Sequence, residues 1–80
     1  MIKEKSYSSD QLALKDFVRR CPDSLDIREE IARECDVTLS AVDRWLYEKL
    51  NRSFRRPIKK AINTVSRRRF GFRVFKEEGL

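Results

Sequence analysis

Histidine is absent from this chain, and cysteine, proline and glycine occur only twice each. Without histidine the commonest general base and metal ligand is missing. The two cysteines, Cys21 and Cys35, stand too far apart for a local metal knuckle, and a zinc site would need about four ligands. Both fall on predicted apolar faces and read as small buried hydrophobes; a disulfide between them is disfavoured in a reducing compartment. There is no glycine-rich phosphate loop. Caps and turns account for the serines and aspartates, which leaves no nucleophile–base pair. The expectation is a protein that is not an enzyme and needs no metal and no cofactor. No apolar run is long enough to span a membrane. The opening residues 1–6 lack the hydrophobic core of a signal peptide, so a cytoplasmic location is expected.

What is present is charge. Eighty residues make one domain with a single modest core, too small for an elaborate substrate pocket. The net charge of +6 is unevenly placed: residues 1–50 hold nine Lys/Arg and eleven Asp/Glu, whereas residues 51–80 hold ten and two. A basic second half suits a polyanionic partner. The alternative is a solvated basic tail.

Periodicity predicts an all-α chain of four helices followed by a short C-terminal strand or extended tail. Residues 1–7 read as a flexible arm. Ser8 or Ser9 can cap a first helix starting near Asp10. Leu12, Ala13, Phe17 and Cys21 recur along it at helical spacing, with Leu14 and Val18 widening the stripe. Pro22 ends it. Asp26 and Glu29 read as a capping box for the second helix, with Ser24 an alternative cap. Ile27, Ile31 and Cys35 share one face of that helix, beside Ala32. Residues 36–38 form a turn. Thr38 can cap a third helix, 39–50, with apolar positions Leu39, Val42, Trp45, Leu46 and Leu50. Its opposite face carries Ser40, Asp43, Arg44, Tyr47 and Asn51. Arg52 to Arg56 is a basic loop. Pro57 suits the first position of a fourth helix, along which Ile58, Ala61, Ile62 and Val65 bury one face. Arg67, Arg68 and Arg69 favour its negative end, and Gly71 breaks it. The domain is drawn at residues 8–69, with 70–80 as the tail.

Over residues 28–47 a short amphipathic helix, a three-residue turn and a second amphipathic helix follow one another. Small or apolar residues fall where two crossing helices would touch. A helix-turn-helix needs this arrangement to project its second helix into a major groove. The stretch resembles the helix-turn-helix of the phage Cro and lambda-repressor-like family. Ala32 stands at the small crossing position; Ile31, Cys35, Val37, Val42 and Trp45 stand at the buried ones. Arg56 and Pro57, opening a further helix after a basic loop, resemble that family's fourth helix. The match is specific over residues 28–47 and extends as a helix pattern over 9–69. Two residues depart from it. Asp36 stands where the family usually has Gly, although Asp tolerates a left-handed conformation better than most residues. Asp43 puts a carboxylate on the presumed DNA face, where it repels phosphate but could accept from a cytosine amino group or orient Arg44.

The resemblance implies a sequence-specific regulator of transcription, a repressor of phage or mobile-element type. It would bind double-stranded DNA as a homodimer and lie with the nucleoid. The base-reading candidates are Leu39, Ser40, Asp43, Arg44 and Tyr47. Arg44 leads, because a guanidinium can bond guanine O6 and N7 together; the competing reading is a surface pair with Glu48. Ser40 is either a reader or a plain solvated residue. Leu39 is either core or a contact to a thymine methyl. Tyr47 either bonds a phosphate or covers Leu50. Thr38 is a cap or a phosphate contact, and Arg52, Arg55, Arg56, Lys59 and Lys60 would hold the DNA backbone. Residues 66–75, which hold Arg67, Arg68 and Arg69 and the apolar Phe70, Phe72, Val74 and Phe75, allow three readings: a strand pairing with a second subunit, an arginine arm entering a minor groove, or phenylalanines folded back onto the monomer core. Two other functions stay open: an architectural, excisionase-like recombination accessory protein, and a helix-turn-helix-derived module, such as an antirepressor, that binds a protein partner.

Overall fold

The structure is a computed structural model and describes residues 6–76. Four α-helices follow in order: α1 (Ser9–Arg20), α2 (Ser24–Cys35), α3 (Leu39–Tyr47) and α4 (Arg56–Phe70). The first three starts have a side-chain cause. The Ser8 hydroxyl accepts from the Gln11 backbone N–H and the Gln11 amide accepts from the Ser8 N–H, a complete capping box. Thr38 caps α3 by accepting from Ala41 N at 3.2 Å. The start of α2 differs from the sequence expectation. Asp23 caps it by accepting from Asp26 N at 3.1 Å, so the helix begins at Ser24 and no Asp26–Glu29 box forms. The reason is local: Asp23 directly follows Pro22 and its carboxylate reaches the free N–H groups first. Cys21, held extended before Pro22, ends α1 as expected.

The core is formed by Leu14, Phe17, Val18, Ile27, Ile31, Ala32, Val42, Leu46, Phe54, Ile62, Val65 and Phe75. Helix α2 packs on both α3 and α4, and α1 closes against α2 and α3. Ala32 is buried in α2, which packs on α3, where a larger side chain would hold two helices apart. On α1 the buried face is Gln11, Leu14, Phe17 and Val18, whereas Leu12, expected in the stripe, is half exposed. Between α2 and α3 the chain turns at Asp36, whose φ of 58° is left-handed. Its N–H closes α2 on the carbonyls of Ala32 and Arg33. The Asp thus occupies the conformation that glycine adopts most easily.

The C-terminal segment forms no strand among the described residues. After Gly71, at φ 82°, the chain folds back along α4. Asn63, fully buried in the middle of α4, acts as a substitute strand. Its Nδ2 donates to Phe75 O at 2.7 Å, and its Oδ1 accepts from Val74 N and Phe75 N at 2.7 and 2.8 Å. Ser66 donates to Phe72 O. Phe75 is buried, edge-on to Phe54 at 6.1 Å between ring centres. Of the three readings of the tail, folding back therefore describes Val74 and Phe75, whose backbone groups a second subunit's strand would otherwise need. Phe70 and Phe72 stay about half exposed, each edge-on to Phe17. Both cysteines are free, and α2, roughly 18 Å long at 1.5 Å per residue, lies between them. No helix among the described residues is long and apolar enough to cross a membrane.

Candidate nucleic-acid interface

Helix α3 is fixed from beneath and from its end. Beneath, Val42 and Leu46 are fully buried; burial of this kind stabilises by about 1.5–3 kcal/mol per side chain. At its end the α1 residue Gln11 takes over. Its Nε2 donates to Trp45 O at 2.7 Å and to Glu48 O at 2.6 Å. Its Oε1 accepts from Leu50 N at 3.2 Å as well as from Ser8 N. All four hydrogen-bonding sites of one buried amide are thus used. They satisfy carbonyls that the helix end leaves open and turn the chain out of helix at Glu48, whose backbone is extended. Helix α3 therefore stops at Tyr47, not at the expected Leu50. Sequence reading missed Gln11; its one signal was the Ser8-to-Gln11 spacing of a capping box.

The outer face of α3 carries Ser40, Arg44 and Tyr47, all exposed, with Leu39 half-buried. Thr38 serves as a cap. Ser40, Asp43, Arg44, Tyr47 and Glu48 line one shallow, open surface. Beside it, Ala41, Arg44, Trp45, Leu50 and Arg52 line a second depression, so Arg44 joins the helix face to the following loop. Arg44 Nε lies 3.1 Å from Glu48 Oε2, with both side chains more than half exposed. An exposed pair of this kind holds its members weakly. Asp43 does not orient Arg44. Its Oδ1 accepts from Arg28 Nη1 of α2 at 2.7 Å. That hydrogen bond is the main cause holding the Arg28 guanidinium above its ordinary pKa. Arg28 was the second residue the sequence reading missed, because only the crossing of α2 over α3 brings it to Asp43.

The loop after α3 is well anchored. Phe54 is buried against Trp45, and its N–H donates to Asp10 Oδ2 at 2.9 Å. Asn51 has a left-handed φ of 56° and accepts from Ser6. Tyr7 donates to Tyr47 O at 3.2 Å and lies under the Lys15 ammonium. Ser6 and Tyr7, expected in a loose arm, are thus tied beside α3, while residues 1–5 lie outside the described residues. Arg52, Arg55, Arg56 and Lys60 are exposed and form no ion pair among the described residues. Arg55 and Arg56 sit at the start of α4, which has Pro57 in its first turn and no side-chain cap. The Ile58 and Lys59 N–H groups already donate to the Arg55 carbonyl and Pro57 has none, so what favours an anion here is the positive end of the helix dipole with its flanking guanidinium groups.

Two groups of basic residues do not join this surface. Lys59, expected on the DNA backbone, lies 3.3 Å from Asp10 Oδ2 with both side chains mostly covered. At the other end of α4, Arg68 reaches Glu30 at 2.6 Å and Glu34 at 3.2 Å, and Arg69 reaches Asp26 at 2.6 Å and Glu30 at 3.0 Å. Hydrogen bonds to these carboxylates raise both guanidinium pKa values. The arginine-arm reading is corrected at these two residues, since α2 engages them. Cys35 is set apart too: burial pushes its thiol up to about 11. No group of three His, Cys, Asp or Glu among the described residues could hold a metal ion. No protein-family model, curated protein or solved structure matches the chain.

Proposed function

We propose that this protein binds double-stranded DNA with α3 in the major groove and regulates transcription as a repressor of phage or mobile-element type, α2 and α3 acting as a helix-turn-helix of the Cro and lambda-repressor-like kind. One observation carries the reading. The exposed face of α3 runs through Arg44 into a loop and helix start where Arg52, Arg55, Arg56 and Lys60 form no ion pair among the described residues. A helix about 10–12 Å across fits a groove about 12 Å wide. Arg44 leaves its weak partner Glu48 for a guanine edge, and the basic loop grips the flanking phosphates without reading sequence. Occupation of an operator then blocks polymerase sterically. A homodimer would place two such helices about one DNA turn apart.

Selection of bound duplexes from a random-sequence pool tests this, with Arg44→Ala run in parallel. The expected result is an enriched inverted repeat. It blurs at one position in the mutant, at a cost of about 1–3 kcal/mol on the best site. A single ungapped site would favour an architectural, DNA-bending role. Absence of enrichment at physiological salt would overturn the proposal. A second reading, docking of a protein partner, is favoured by the exposed Leu12, Leu25 and Tyr47. It predicts a function that survives Arg44→Ala combined with loss of the loop arginines.

A further inference from the structure

A carboxylate in the middle of a helix face offered to DNA repels phosphate unless its charge is met. It contributes to recognition only if its direction is fixed. Both conditions hold at Asp43. Arg28 donates from Nη1 to Asp43 Oδ1 at 2.7 Å, and the same guanidinium donates from Nε to the Ser24 carbonyl at 3.1 Å. The Arg28 side chain is 17% exposed and that of Asp43 36%. The cation is therefore largely covered, while one edge of the carboxylate stays open. A charge-assisted hydrogen bond of this length is short and directional. Ser40 and Arg44 share the surface on which that edge opens.

We infer that Arg28 and Asp43 form a specificity element. Arg28 neutralises and orients the Asp43 carboxylate, and Asp43 Oδ2 accepts from the N4 amino group of a cytosine at one position of the bound sequence. Cytosine is the base whose major-groove edge suits a fixed acceptor, whereas the adenine amino group sits beside the N7 acceptor, which repels a carboxylate. Asp43 is the contacting residue and Arg28 a positioning residue. The inference rests on the DNA-binding reading above and names the base preference that reading leaves open.

The experiment is random-duplex selection, followed by affinity measurement on the wild-type site. It compares the wild type with Asp43→Asn, Arg28→Met, and Arg28→Met combined with Asp43→Ala. Asp43→Asn should shift one position from cytosine to adenine, because an amide can pair with adenine N6 and N7, with about tenfold weaker binding to the original site. It keeps an oxygen for Arg28, so folding is not at issue. Arg28→Met should weaken binding to every sequence and blur that same position, because a bare carboxylate is left facing phosphate. The double variant should regain general affinity and lack the cytosine preference. A wild type that enriches a motif which all three variants reproduce at every position would overturn the inference and leave the DNA-binding reading intact. A wild type that enriches nothing would overturn both.

Discussion

The start of α4 carries Arg55 and Arg56, and its end carries Arg68 and Arg69: the same side chain, on one helix, with opposite fates. At the end of α4, α2 runs alongside and presents Asp26, Glu30 and Glu34, spaced so that all three share one face. The late arginines are engaged there. At the start, α4 leaves the loop after α3, and the described carboxylate nearby is Asp10. That group is already held by Lys59 and by the Phe54 N–H. The early arginines keep their charge toward solvent. Formal charge along a sequence therefore overstates the charge available to a polyanion, and the neighbouring helix decides how much remains.

The largest effect is expected where the open end is held in place. Replacement of Gln11 by Ala removes four hydrogen bonds and leaves the Trp45 and Glu48 carbonyls without that partner. Each buried unsatisfied group costs about 1–3 kcal/mol, so a loss of about 3 kcal/mol or more is expected in denaturant unfolding. Hydrogen exchange should quicken first over residues 45–50. Uniform exchange across all four helices would show that Gln11 stabilises the fold without anchoring this end. Next in size is the direct comparison of the two arginine pairs. Arg55→Ala with Arg56→Ala should lower affinity for all duplexes about tenfold or more and reduce the salt slope by about 2. Arg68→Ala with Arg69→Ala should leave the slope unchanged and lower the melting temperature, because Glu30 loses its partners. If the two double variants show the same slope, the distinction between the ends fails. The smallest effect concerns the turn that sets α2 across α3. Asp36→Gly should stabilise by roughly 0.5–1 kcal/mol, since glycine adopts the left-handed conformation freely and a carboxylate leaves the negative end of α2. Asp36→Val should destabilise by about 1–2 kcal/mol. A stabilising Val would mean that the left-handed turn is not kept in solution.

Much of the architecture was legible because it depends on local rules. The Ser8 and Thr38 caps, the Pro22 stop, Pro57 in the first turn of α4 and the Gly71 break are each read within a few residues. The apolar stripes of α2 and α4 follow from helical spacing alone. Apart from the start of α2, where the neighbouring Asp23 caps in place of Asp26, differences arose where distant groups intervene. The end of α3 moved from Leu50 to Tyr47 because Gln11, thirty-four residues before Trp45, supplies the capping amide. The tail follows α4 because Asn63 pairs with its backbone. The part of the candidate interface legible in advance was the exposed set Ser40, Arg44, Tyr47, Arg52, Arg55, Arg56 and Lys60. Lys59 left that set, and Asp43 gained Arg28, through contacts between helices.

By itself the sequence determined that there would be four helices, where most of them begin and stop, and that basic side chains would crowd the second half. These properties follow from backbone stereochemistry, capping and composition, all of which act over a few residues. Tertiary structure alone decided which of those cations face solvent, how the Asp43 carboxylate is met and where the phenylalanine-rich tail lies. Ion pairs and buried amides join residues from separate helices, and their partners are fixed only once the helices have packed.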